Sequence, residues 1–71
     1  MYKCPKCREF SIDYNSYYGQ DACYKDGCTV VIEDKDKGIY SYIKHDYKRK
    51  VAERMKVVKG VETEVIRSYN L

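Results

Sequence analysis

A small α+β domain held together by a metal ion is the fold class this sequence predicts, on three observations. Four cysteines fall in two pairs, Cys4 with Cys7 and Cys23 with Cys28. Short β-prone runs lie between and after them, over residues 10–14, 29–33 and 39–43. From Ile43 onward the apolar spacing changes and positive charge gathers. The expected architecture is a ribbon of three to four antiparallel strands with a hairpin over residues 1–43. A C-terminal basic helix and tail over 44–71 packs on or beside it, in a single domain of 71 residues.

The elements follow in order. Phe10, Ile12 and Tyr14 alternate with polar residues, which is strand periodicity, and Asn15-Ser16 and Gly19-Gln20-Asp21 are turn chemistry. The run Thr29-Val30-Val31-Ile32-Glu33 is rich in β-branched residues. A polar loop, Asp34-Lys35-Asp36-Lys37-Gly38, connects it to Ile39-Tyr40-Ser41-Tyr42-Ile43, so the two runs read as a hairpin. Ile43, Tyr47, Val51, Met55 and Val58 then recur at spacings of four, four, four and three, one face of a helix. Lys48, Arg49, Lys56 and Lys59 fall on the adjoining arc with His45, a solvated helix residue, while Lys44 and Arg54 interrupt the apolar stripe. Gly60 suits the helix C-cap. The weak alternation of residues 61–67 fits a last strand or a frayed extension.

The core is thin. Nine Tyr and four Cys make up much of the 44% hydrophobic fraction, and there is one Leu and no Trp. A chain this short buries only about 60% of its unfolded surface, so something besides apolar burial must hold it. The cysteine pairs supply it. Two residues separate the first pair, four separate the second, and 15 lie between the pairs. Zinc takes four soft ligands in a tetrahedron, and each tight turn can offer two of them. Four thiolates close the site, which makes Zn2+ structural rather than catalytic. Gly27 suits the positive φ of such a turn, and Lys3, Lys6, Arg8 and Lys25 flank the thiolates. Iron in a rubredoxin-like site, two disulfides, and a catalytic dithiol at Cys4 and Cys7 are the alternatives.

The opening Met1-Tyr2-Lys3-Cys4-Pro5-Lys6-Cys7, a polar and aromatic stretch, and the Cys23-x4-Cys28 turn before a β-prone run resemble the Ogr/Delta group of small phage zinc-finger proteins. The resemblance covers residues 1–43 and rests on Cys4, Pro5, Cys7, Cys23 and Cys28. It implies a zinc-bound domain that touches DNA and RNA polymerase to activate late transcription. A generic zinc ribbon also fits.

The formal charge of +3 is polarised: residues 44–60 hold seven basic and two acidic groups, and the rest of the chain is slightly acidic. Zinc on four thiolates lowers the loaded charge to about +1. A zinc-binding transcription regulator that contacts nucleic acid, DNA before RNA, or RNA polymerase is therefore expected. Its contact residues are Lys44, Lys48, Arg49, Lys56 and Lys59, with Tyr17 and Tyr18 stacking on bases. The alternative is a protein-interaction module, such as a phage factor docking on a host protein, which uses its abundant Tyr and its opposed charges. An enzyme is not expected, since no nucleophile–base pair or phosphate-cradling glycine loop occurs and there is one His. No small-molecule substrate is expected either. The apolar run 29–32 is too short to cross a membrane, and residues 1–5 lack the apolar core of a secretory signal. Both point to the cytoplasm, where paired cysteines bind metal more often than they oxidise.

Overall fold

The computed structural model describes all 71 residues. It is an all-β, seven-stranded antiparallel sheet in which each strand pairs with the next in sequence. The strands are β1 (Tyr2–Lys3), β2 (Phe10–Asn15), β3 (Gln20–Cys23), β4 (Val31–Asp34), β5 (Ile39–Asp46), β6 (Val51–Val58) and β7 (Val61–Asn70). The structure contains no helix, so the predicted α+β class and the C-terminal basic helix are corrected. The segment 44–60 is instead the end of β5, all of β6 and the turns that flank it.

The physical reason lies in the spacing. Positions four apart share a helix face, but four is also even, so they share a strand face as well. Val51 and Met55 do so on β6, whereas Tyr47 falls in the intervening turn and is 76% exposed. Val51, Val57, Val58, Val61, Val65 and Ile66 are β-branched and cost less in a strand than in a helix. Gly60 has φ 83 and Lys59 has φ 50, and Val58 pairs with Val61 around them. Two central residues with positive φ make a type I′ hairpin turn. The glycine that suits a helix cap serves that turn equally well.

Three other hairpins share one turn design. Asn15 accepts the Tyr17 amide at 2.9 Å, Asp34 the Lys37 amide at 3.2 Å and Asp46 the Arg49 amide at 3.2 Å, each through a side-chain oxygen. Four residues after each Asx the backbone turns left-handed, at Gly19 (φ 68), Gly38 (φ 68) and Lys50 (φ 54). The first two carry the expected glycine. The third carries lysine, so the sequence does not announce it.

The core lies on one sheet face. Cys4, Ile12, Val30 and Ile32 form it, with Tyr2, Tyr40, Tyr42 and the other three cysteines packed around. Ile12 is fully buried, opposite Tyr2 on β1 and Cys23 on β3. On the other face Val31 lies between Ala22 and Ser41. No helix is long and apolar enough to cross a membrane. Every residue of β7 is exposed, and its outer edge has no partner strand.

Candidate metal centre and the open sheet face

Two short loops bring the four sulfurs together. Cys4 and Cys7 sit between β1 and β2, Cys23 ends β3, and Cys28 precedes β4. In the first loop the Cys4 amide donates to the Glu9 carbonyl at 2.8 Å, and the Arg8 amide donates back to the Cys4 carbonyl at 2.9 Å. The chain reverses at Arg8, with φ 65. In the second, the Cys28 amide donates to the Lys25 carbonyl at 3.1 Å, and Gly27 (φ 82) makes the reversal. The pairing of Ile12 with Cys23 lays one loop beside the other.

All four sulfurs lie within 4.8 Å of one another, so Cys4, Cys7, Cys23 and Cys28 can hold a metal ion. The spacing tests the fit. A tetrahedron with metal–sulfur bonds of about 2.3 Å has edges of about 3.8 Å. Cys4 and Cys28 sulfurs are 3.8 Å apart, and those of Cys7 and Cys23 are 3.7 Å apart. Both distances far exceed the disulfide bond of about 2.05 Å, and all four cysteines are free.

The surroundings treat the thiols differently. The Glu9 amide, pointing at Cys7, is the main cause that lowers this thiol to about 6. Burial pushes Cys28 up to about 12 and also raises Cys4. A divalent cation compensates buried thiolates that are otherwise costly, because ligation replaces their protons. Ser11 supports the cluster, its hydroxyl 3.0 Å from the Cys23 sulfur and 3.2 Å from the Glu9 carbonyl. Of the flanking cations, Lys25 pairs with Glu9 at 3.4 Å, and Lys6 lies over the Tyr42 ring at 4.8 Å.

The basic segment is spread out by the sheet. Lys44 pairs with Glu62 and Lys56 with Glu64, both at 3.5 Å, so β7 neutralises two of the cations. They stand on opposite faces, since the register sets Lys44 against Glu53 and Lys56 against Ser41. Arg49 lies 4.0 Å from Asp46. Lys48 and Arg49 belong to the β5–β6 turn and Lys59 to the β6–β7 turn, at opposite ends of β6. His45 stacks on Tyr47 at 5.7 Å.

Tyr17 and Tyr18, in the β2–β3 turn, meet edge to face at 5.1 Å. They border a groove of about 500 Å³ on the face opposite the apolar core, with Arg54, Ile66, Arg67 and Tyr69 across from them. The groove floor is a connected polar chain. Gln20 donates to Glu33 at 2.8 Å, Ser41 donates to Glu33 at 2.9 Å, and Arg54 donates to Ser41 at 3.0 Å. The sequence reading missed Arg54, Arg67 and Tyr69 as a group. The only signal was alternation: Arg67 and Tyr69 are two apart, which places them together once β7 is read as a strand.

Compared with protein-family models, curated proteins and solved structures, the chain matches none of them.

Proposed function

We propose that the chain is a zinc-binding regulator of transcription whose metal is structural and whose open sheet face contacts nucleic acid. The observation that carries this is the division of labour between the two faces. One holds four sulfurs within 4.8 Å of one another, a closed ligand set for one ion that needs no substrate ligand. The other holds a groove lined by tyrosines and arginines. Bound zinc supplies a fixed cross-link between the two loops. Thiolate ligands suit a reducing compartment such as the cytoplasm. The Cys4-Pro5-Lys6-Cys7 opening and its likeness to the Ogr/Delta group support a role beside RNA polymerase.

The test is binding of the zinc-loaded protein to fluorescent oligonucleotides, single-stranded and duplex, across a salt series. Affinity that falls with salt and disappears on chelation is expected. Absence of binding to any nucleic acid at low salt overturns the reading. A protein-interaction module is then favoured, for which the observation is β7: ten exposed residues with an open outer edge can add a partner's strand. Retention of purified RNA polymerase by immobilised protein, with β7 variants losing it, is the test of that reading.

A further inference from the structure

We propose that the groove between the β2–β3 turn and β7 is a site for single-stranded nucleic acid, with a phosphate on Arg54 and Arg67 and bases stacked on the tyrosines. This rests on the nucleic-acid reading above and names its substrate class and location.

The first argument is a like-charge pair. Arg54 on β6 and Arg67 on β7 are direct cross-strand partners. Like charges opposite one another destabilise a sheet. Elsewhere along this strand pair the fold avoids the problem, setting Lys56 against Glu64. Neither arginine forms an ion pair, although β7 carboxylates neutralise Lys44 and Lys56 nearby. Arg54 turns its guanidinium onto the Ser41 hydroxyl at 3.0 Å and the Thr29 carbonyl at 3.5 Å, and Arg67 lines the same groove, so each can offer its remaining donors to a phosphate that enters, with Glu33 the one carboxylate on the lining.

The second argument is what surrounds the two arginines. Arg54 lies 5.9 Å from the centre of the Tyr18 ring, and Tyr69 stands two residues from Arg67 on the same strand. Tyr17 is 87% exposed although it packs against Tyr18. Exposed rings next to cations are the equipment of single-strand binding, where each base offers a flat face. A duplex keeps those faces stacked inside and instead calls for a row of cations along its backbones. The sheet has dispersed that row over both faces and both ends of β6.

The experiment is fluorescence anisotropy of the zinc-loaded chain with a labelled single-stranded 12-mer, a hairpin duplex of the same length, and inorganic pyrophosphate as competitor. Quenching of tyrosine emission, unobscured because the chain has no Trp, is a second readout. Variants are Tyr17→Ala and Arg67→Gln, with Lys37→Gln in the exposed β4–β5 turn as a charge-matched control, each checked for one bound zinc and an unchanged circular dichroism spectrum. The single strand is expected to bind at least ten-fold tighter than the duplex. A log–log salt slope of about −0.7 is expected for the one phosphate held in the groove. Tyr17→Ala and Arg67→Gln each weaken binding about ten-fold, and Lys37→Gln by less than two-fold. If the wild type binds but both groove variants bind equally well, this site is refuted while the nucleic-acid reading stands. If pyrophosphate competes as well as the oligonucleotide, the groove is an anion site only and the proposal fails. If no nucleic acid binds at all, the reading and the site fall together.

Discussion

The Tyr42 hydroxyl on β5 donates a hydrogen bond to the Glu62 carboxylate on β7, reaching across β6. Lys44, two residues along β5, pairs with the same carboxylate at 3.5 Å. The open edge strand is thus tied to the strand beyond its neighbour on the side chains of one face. That contact holds the Glu62 carboxyl below its ordinary 4.5, mainly through the Tyr42 hydroxyl, and raises the Tyr42 phenol to about 12.

The linkage gives opposite signs at the two ends of the pH scale. The lowered Glu62 value stabilises the fold above its ordinary range, and that contribution is lost as pH falls through the depressed value. The raised Tyr42 value stabilises below pH 10 and is lost as pH rises through about 12. Glu62→Gln is expected to bring the Tyr42 ionisation down toward 10, read by ultraviolet titration of the phenols, and to speed amide exchange along β7 at neutral pH. Unchanged phenol titration would show that the tether does not exist in solution.

Metal removal should unfold the sheet. The core cluster contains Cys4 and packs against the other three ligands, so the site and the core are one unit. Structural zinc contributes on the order of 10–16 kcal/mol in comparable peptides. A strong chelator under reducing conditions is expected to abolish the β-sheet circular dichroism and the dispersed amide spectrum, with recovery on adding one equivalent of zinc. Cobalt in its place should give the absorption of a tetrahedral tetrathiolate. A chelated protein with an unaltered spectrum contradicts the assignment.

Ile12 is fully buried between the two cysteine loops. Ile12→Ala is expected to cost about 2–5 kcal/mol in denaturant unfolding of the metal-loaded protein. Because the cavity opens beside the ligands, the same variant should also hold zinc less tightly in competition with a chromogenic chelator. Lost stability with unchanged metal affinity would separate core from site.

The two lysines with positive φ predict stabilising changes. Lys59→Asn gives Asn-Gly in the type I′ turn, the favoured pair there, and Lys50→Gly relieves a left-handed residue. Each is expected to add about 0.5–1 kcal/mol, read as a higher denaturant midpoint at constant slope. Gly27→Ala, where an added Cβ meets nothing within 4 Å but φ is +82, should cost about 1 kcal/mol from the backbone alone. Opposite signs at these positions would show that the turns are not as described.

The four-sulfur cluster was legible because its information is local. Cys4 and Cys7 share one turn, Cys23 and Cys28 another, and the alternation through Ile12 forecasts the strand that joins them. The hairpin around Asp34 and Gly38 was legible for the same reason. The third hairpin was not, because Lys50 stands where Gly19 and Gly38 mark the other two turns. A repeated Asx-x3 spacing from Asn15, Asp34 and Asp46 was present in the sequence, but it is weak without the closing glycine.

The sequence by itself determined the four-sulfur cluster and the need for it, since ligand type, ligand spacing and a thin core are written residue by residue. It also determined where the positive charge lies along the chain. Tertiary structure alone decided what that charge faces. Spacings of four satisfy strand and helix alike, and pairing with β5 on one side and β7 on the other makes the strand the better choice. That pairing neutralises Lys44 with Glu62 and Lys56 with Glu64 and leaves Arg54 beside Arg67. Such partnerships depend on register across strands, which no local pattern in the chain encodes.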